Sequence, residues 1–484
     1  MSYRTPQWRP FLPVVAASVP LLAAALLAVL LILLNKGGGL LLPAASTWLR
    51  ALAAGWVLIA VAGAALVVAA ARLAGTERGP LFVRPMTVSA AGLLLALAAV
   101  EVTLRLGAVP APLGERVGGL DLLPYDWQQS RRTLAAWLER TRRPTAVVDV
   151  EDPDLGWDLG RGRRSADGLY VTSPEGFRTG QQPAALTVAR ARYRVALIGD
   201  SFTFGEEVAF EDTWGQQLAR ALPTGTVALN FGVPSHGPDQ TLLKYRRDVR
   251  RWQADVTVLG FLSASPLRNF TVYPFLDPHL ELPFSKPRFV LRDDALMPLN
   301  SPPLSVPEML DMPSLGSLPL LHEDRLFEVG HWSTPLATRL YLARYLVSRF
   351  PRYRTREERL SVETVAGLGA RILAQLVREV RASGSVPLLA YLPVQADLTG
   401  GPVGLRDELI RRLAGEGIPV LDMGKCLQRA MPVQAAFIAP GFRRSSQADP
   451  GPPHYSARGN AAIAGCLAPE VGAILRTRTP RGPD

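Results

Sequence analysis

A serine closing a short apolar run, a glycine closing a second one, and a histidine near the end of the chain are the residues that could do chemistry together. Val195-Ala196-Leu197-Ile198 stops at Gly199-Asp200-Ser201, the pattern of a buried strand ended by a tight turn. A serine there, ahead of a helix, exposes its hydroxyl and backbone N–H at the carboxyl edge of a sheet, where open α/β folds build their sites. A second strand pattern runs into Asn230-Phe231-Gly232-Val233-Pro234-Ser235-His236-Gly237, and Gly232 would let a backbone N–H come close to a reacting oxygen. Further on, Asp449-Pro-Gly-Pro-Pro-His454 leads into a final helical stretch. An imidazole titrating near pH 6.5 makes His454 the natural base for Ser201. His236 is a rival base, although its place beside Gly232 suits it better to lining a substrate cleft.

The elements that must position these residues alternate along the chain. Strand patterns fall at 194–198, 227–231, 256–262, 386–392 and 418–422. Helical patterns lie between them, at 213–222 and at 238–252, the latter opening on a proline. Val365, Leu368, Ile372, Leu376 and Val380 recur at spacings of three and four, one face of another helix. A last helix is expected over 456–475. Such alternation predicts a mostly parallel, five-stranded sheet covered on both faces. The proline-rich stretch 263–355 breaks the pattern, with one hairpin expected near 288–298, and reads as a substrate-shaping insertion.

Taken together, Ile198-Gly-Asp-Ser-Phe-Thr-Phe-Gly205, Asn-Phe-Gly232 and His454 resemble the SGNH (GDSL-type) hydrolase superfamily. The Asp-Pro-Asp-Leu-Gly-Trp (152–157) and Ser-Pro-Glu-Gly-Phe-Arg (173–178) segments ahead of the serine are similar to those of its membrane-anchored bacterial branch. The resemblance covers about 150–478. It implies a flavodoxin-like three-layer α/β/α sandwich, with Ser201 as nucleophile, His454 as base, and the N–H groups of Ser201 and Gly232 as oxyanion donors. The acyl-enzyme would pass to water or to a sugar hydroxyl. No cofactor or metal is implied.

Two departures from the family pattern matter. An asparagine usually follows the third strand as a further oxyanion donor, and here Ser265 stands in its place, while Asn269, four residues on, could recover part of that role and is read with His236 as lining the substrate cleft. Loss of one such donor costs roughly 10²–10³ in turnover. The family also sets an aspartate two or three residues before the histidine. This chain has Gly451 and Pro452 there, and Asp449 is the nearby acid. Asp449 as orienter of His454, and a Ser–His pair without an acid, are both compatible with the residues.

The wider chain of 484 residues has two unlike parts. Up to residue 107 it is rich in Leu, Ala and Val, with apolar stretches at 11–34, 51–71 and 88–107. Each is long enough for a membrane-spanning helix of about 20 residues. Arg4 and Arg9 precede the first stretch, and Arg72, Arg78 and Arg84 lie between the second and third. By the positive-inside rule the domain after 107 then faces outward, in a periplasmic or other extracytoplasmic space. Glu101 and Arg105, four apart, are read as interfacial anchors or as a contact between helices. Residues 108–150 read as a stalk, and 151–478 as the hydrolase domain. The net charge of +11 comes without a clustered basic and aromatic module, which argues against nucleic acid and suits a membrane surface or acidic polysaccharide. Cys426 and Cys466 could form a bridge outside the cytoplasm or stay as two buried thiols. An α/β-hydrolase nucleophile elbow, a phosphate loop and a zinc-type His-Glu-x-x-His are all missing. The expected partners are therefore a membrane and an acylated glycan or lipid substrate. The alternatives are a degenerate glycan- or lipid-binding module, or a structural subunit of an envelope assembly complex.

Overall fold

The computed structural model describes residues 79–180, 191–277, 282–350, 360–439 and 453–481, with side chains from residue 92 onward. The chain divides into two units, Met1–Ser130 with Glu328–Arg356, and Arg131–Phe327 with Glu357–Asp484.

In the second unit the aliphatic runs of the sequence become a seven-stranded sheet. Its strands are β1 (Val171–Thr172), β2 (Arg178–Thr179), β3 (Tyr193–Ile198), β4 (Thr226–Asn230), β5 (Val256–Phe261), β6 (Val386–Tyr391) and β7 (Val420–Asp422). They lie in the order β7-β6-β5-β3-β4-β2-β1. The five from β3 to β7 pair in parallel. The expected five-stranded sheet is thus widened by β1 and β2, which add antiparallel at the β4 edge. Two-residue strands carry no period, which is why the sequence did not display them.

Helices cover both faces. On one side are α3 (Pro238–Lys244), α4 (Val362–Ala382) and α5 (Gly404–Gly415); on the other are α2 (Trp214–Ala221), α6 (Met423–Ala430) and α7 (Ala457–Arg476). The split follows from the pleat. In β3, Ala196 and Ile198 join one core with Leu242, Leu368, Ile372 and Leu409, while Val195 and Leu197 join the other with Trp214, Leu427, Leu467 and Val471. All five apolar positions read on the face of α4 are buried, and Ser361 caps that helix by accepting from Thr364 N–H. A disulfide joins Cys426 of α6 to Cys466 of α7, with Cα atoms 6.1 Å apart.

The first unit contains a helix over Gly79–Gly107, three short antiparallel strands between Val109 and Leu122, and a helix over Tyr341–Arg349. Residues 108–150, read as a stalk, therefore hold this small sheet and a helix over Trp127–Thr141. The expected insertion is divided: its first part, with the hairpin Arg288–Arg292 and Ala295–Leu299, belongs to the second unit, and Glu328–Arg356 belongs to the first. Glu101 and Arg105 pair at 2.8 Å as their spacing suggested. Glu101 also accepts from the N–H groups of Tyr341 and Leu342 at 2.9 and 2.8 Å, capping the helix that starts there. The pair thus joins two helices within this unit, the second of the two roles its spacing allowed. The stretches 11–34 and 51–71 lie outside the described residues. Among the described residues no helix is long and apolar enough to cross a membrane.

Candidate active site

Strand β3 ends in a turn that only glycine can make. Gly199 has φ +152°, and a Cβ there would sit 2.5 Å from the carbonyl oxygen of Gly260. Asp200 then caps the short helix α1 (Ser201–Phe204) by accepting from Phe202 N–H at 3.1 Å. Ser201 is the first residue of that helix, so its N–H belongs to the donors that have no partner within a helix. Gly205 ends α1 in the left-handed region, at φ +78°, and the chain doubles back through Glu206 and Glu207, the latter at φ +69°.

This reversal brings an acid to the histidine. His454 Nε2 lies 2.9 Å from Ser201 Oγ, and His454 Nδ1 lies 3.2 Å from Glu207 Oε2. The imidazole is placed by its neighbours: His454 O accepts from Ile438 N–H at 2.9 Å, Tyr455 OH donates to Pro393 O at 2.8 Å, and the Phe202 ring packs at 4.9 Å. With Nδ1–H directed to the carboxylate, Nε2 presents its lone pair to the serine hydroxyl. Asp449 lies outside the described residues, and the carboxylate on Nδ1 is that of Glu207, a residue the motif pattern did not single out. The available signal was a pair of glutamates set in an otherwise apolar run close after the serine.

Burial alone would depress the pKa of His454. Glu206, Glu207 and Asp200 together outweigh that effect and raise it above the usual imidazole value. Glu206 contributes from 3.5 Å, on the Nε2 side of the ring.

The oxyanion side differs from expectation. Gly232 packs so tightly on α1 that a Cβ would come within 2.8 Å of the Thr203 carbonyl carbon. Its N–H donates to Asn230 Oδ1 at 3.0 Å, while Asn230 Nδ2 donates to Thr203 O and Phe204 O. Ser265, expected as an oxyanion donor, turns its hydroxyl to Asp200 Oδ2 at 3.0 Å and accepts from Leu262 N–H. Its proton is committed to Asp200 because the helix-capping carboxylate is the stronger acceptor. Arg268 joins the same oxygen at 3.2 Å and also donates to His236 O, tying the nucleophile turn to the β4 turn.

Neither residue expected to line the substrate cleft does so. His236 is buried, donates from Nε2 to Trp157 O at 2.9 Å, and is held well below the usual imidazole range by burial and by nearby cations. Asn269 is fully buried and accepts from Asp239 N–H. Both belong to the packing beneath the site. The Asp-Pro-Asp-Leu-Gly-Trp segment contributes to that packing, since Trp157 Nε1 donates to Pro234 O at 3.1 Å. Among the described residues no cluster of three or more His, Cys, Asp or Glu could hold a metal ion.

No protein-family model matches the chain, and no curated protein sequence matches it. Solved structures do. A lipolytic protein of the G-D-S-L family from Desulfitobacterium hafniense is 14% identical, covering 57% of this chain and 98% of its own, with TM-score 0.29. A lipase/acylhydrolase from Enterococcus faecalis is 14% identical over 58% of this chain and 96% of its own, with TM-score 0.30. Est24, a carbohydrate acetylesterase from Sinorhizobium meliloti, is 11% identical over 58% and 99%, with TM-score 0.29.

Proposed function

We propose that the chain is an SGNH-type serine esterase that cleaves, or transfers, ester-linked acyl groups. The observation that carries this reading is the buried relay from Ser201 Oγ through His454 to Glu207. Ser201 Oγ attacks the ester carbonyl carbon while its proton passes to His454 Nε2. The bond to the leaving alcohol then breaks as the imidazolium returns that proton to the alcohol oxygen. Water, or a sugar hydroxyl, repeats the sequence to release the acyl group. Glu207 holds the tautomer and stabilises the transient imidazolium. Ser201 N–H faces the developing oxyanion, and Gly232 N–H joins it on exchanging Asn230 Oδ1 for the reacting oxygen.

The substrate we assign is a small acyl ester on envelope or exported polysaccharide. The apolar stretches at 11–34 and 51–71, with basic residues before the first and after the second, support a membrane anchor, and we place the enzyme outside the cytoplasm. The Cys426–Cys466 disulfide suits that oxidising side. A second reading, a glycan- or lipid-binding module without turnover, is favoured by the engagement of Gly232 N–H and Ser265 Oγ within the protein.

A fluorophosphonate probe applied to the full chain in membranes separates the two. The esterase labels in wild type, fails to label as Ser201→Ala, and labels slowly as His454→Ala. A folded wild type that stays unlabelled leaves the binding module.

A further inference from the structure

The Ser-Pro-Glu-Gly-Phe-Arg segment ends in Arg178, whose side chain is fully buried yet meets no carboxylate at ion-pair distance among the described residues. Its guanidinium is spent on backbone. Nη1 donates to Phe204 O at 2.7 Å and to Gly205 O, and Nη2 donates to Val208 O at 2.6 Å. Its Cζ lies 5.0 Å from the Tyr170 ring and 4.5 Å from the Phe204 ring, the two rings meeting edge to face beside it with centroids 5.1 Å apart. Tyr170 in turn accepts the backbone N–H of Glu207 on its hydroxyl at 2.9 Å. Across the sheet, Arg178 is paired with Asn230, whose side chain takes Thr203 O and Phe204 O. Two neighbouring residues thus collect the carbonyls of Thr203, Phe204, Gly205 and Val208, on both sides of the reversal that joins nucleophile to acid.

We infer that Arg178 and Tyr170 are positioning residues for the reaction: they fix the 204–208 reversal so that Glu207 faces His454 Nδ1. The inference rests on the esterase reading and explains what the segment before the serine does in it. The loop needs such a clamp because Gly205 and Glu207 both sit at positive φ, and a glutamate keeps that conformation only where its surroundings hold it. Arginine suits the role because its planar fork can serve three carbonyls while its charge rests against the two rings; a lysine offers one point charge.

The test uses full-length protein in detergent, comparing wild type, Tyr170→Phe, Arg178→Lys, Glu207→Gln and Tyr170→Phe/Glu207→Gln. Tyr170→Phe removes one oxygen and keeps the ring beside Arg178, so it still reads the placement of the acid where Arg178→Lys fails to fold. Fluorophosphonate labelling in Tyr170→Phe is expected to slow by about tenfold or more, since a shift near 1 Å costs up to roughly a hundredfold. The pH midpoint of labelling should fall with it, because His454 loses part of its carboxylate support. In the double variant Tyr170→Phe should add almost nothing to Glu207→Gln, the mark of two residues acting through one interaction. A lowered melting temperature with an unmoved pH midpoint and fully additive rates would overturn the inference and leave a structural clamp only. Absent labelling in wild type would instead be a failure of the esterase reading. His454 can then be titrated by NMR in isotopically labelled protein: a midpoint that drops in Tyr170→Phe sustains the positioning role, and one that stays fixed ends it.

Discussion

Replacing Glu207 with glutamine removes one negative charge 3.2 Å from His454 Nδ1 and almost no volume. When Ser201 attacks, the imidazole carries protons on both nitrogens, so the loss falls mainly on the transition state. At that distance and an effective dielectric near 20, a unit charge contributes about 5 kcal/mol, or almost four decades of rate at about 1.36 kcal/mol per decade. Glu206 persists 3.5 Å from Nε2 and supplies part of the same field. The expected fall in kcat/KM is therefore roughly 10²–10³-fold, below the loss of about 10⁴ that an acid-to-amide change can cause in a serine–histidine–acid site. Glu206→Gln should lose less than about tenfold, since it leaves the Nδ1 tautomer in place. The assay is hydrolysis of p-nitrophenyl acetate by the full-length protein, with melting temperature as the check on folding. Because Glu207 raises the imidazole pKa, its removal should also move the acid limb of the pH profile downward. Wild-type turnover in Glu207→Gln, together with collapse in Asp449→Asn, would refute the assignment and return the acid to the segment before the histidine.

Other consequences follow from the same geometry. In wild type the acid limb of kcat/KM should lie above the usual imidazole value near 6.5, since His454 must be unprotonated to act and its pKa is raised. A raised folded-state value means that pairing contributes stability below the unfolded value and loses it as pH rises through the folded one. Melting curves of wild type and His454→Asn should accordingly differ more at pH 6 than at pH 9. Gly232→Ala would put a methyl 2.8 Å from the Thr203 carbonyl carbon; displacing α1 should cost about 1–3 kcal/mol of stability and on the order of 10²-fold in esterase rate. Cys466→Ser opens a crosslink with a sequence separation of 40. Chain entropy puts the loss near 4 kcal/mol, and it should be read as a lower denaturation midpoint with little change in rate per folded molecule.

What the sequence displayed was whatever repeats or terminates abruptly. The alternation of strands and helices, the buried face of Val365 to Val380, and the turns at Gly199 and Gly232 are all local patterns, and they reappear in the second unit. Ser201 and His454 were readable because a glycine turn and a helix start flank them, and they meet at 2.9 Å. The acid was hidden because its place depends on two positive-φ residues, Gly205 and Glu207, and no periodicity reports a chain reversal of that kind. Ser265 and Asn269 have the right chemistry in the right stretch, but residue type does not reveal which acceptor claims a hydroxyl or an amide. Here Asp200 takes the Ser265 hydroxyl, and Asn269 offers its oxygen to Asp239 N–H. For Ser265 the helix-capping carboxylate outcompetes the oxyanion.

That competition bears on how the reaction is supported. With Glu207 on the loop leaving Ser201, nucleophile and acid belong to one stretch, whose carbonyls are held by Arg178 and Asn230. The segment ahead of α7 then has only the imidazole to place, and the Phe437–Tyr455 bridge with the Tyr455 hydroxyl does so from the opposite side. Such a division separates two kinds of error. Damage to the 170–178 segment should disturb the acid and the nucleophile together, moving rate and pH midpoint at once. Damage at Tyr455 should shift the base relative to both, lowering the rate while Glu207 still raises the pKa of whatever imidazole remains in reach. Tyr455→Phe, which keeps the ring against Phe202 and removes only the bond to Pro393 O, is expected to slow hydrolysis by roughly tenfold through misplacement of the base, with the pH midpoint unchanged. A midpoint that fell as far as in Glu207→Gln would show that the two sides of the triad are not held independently.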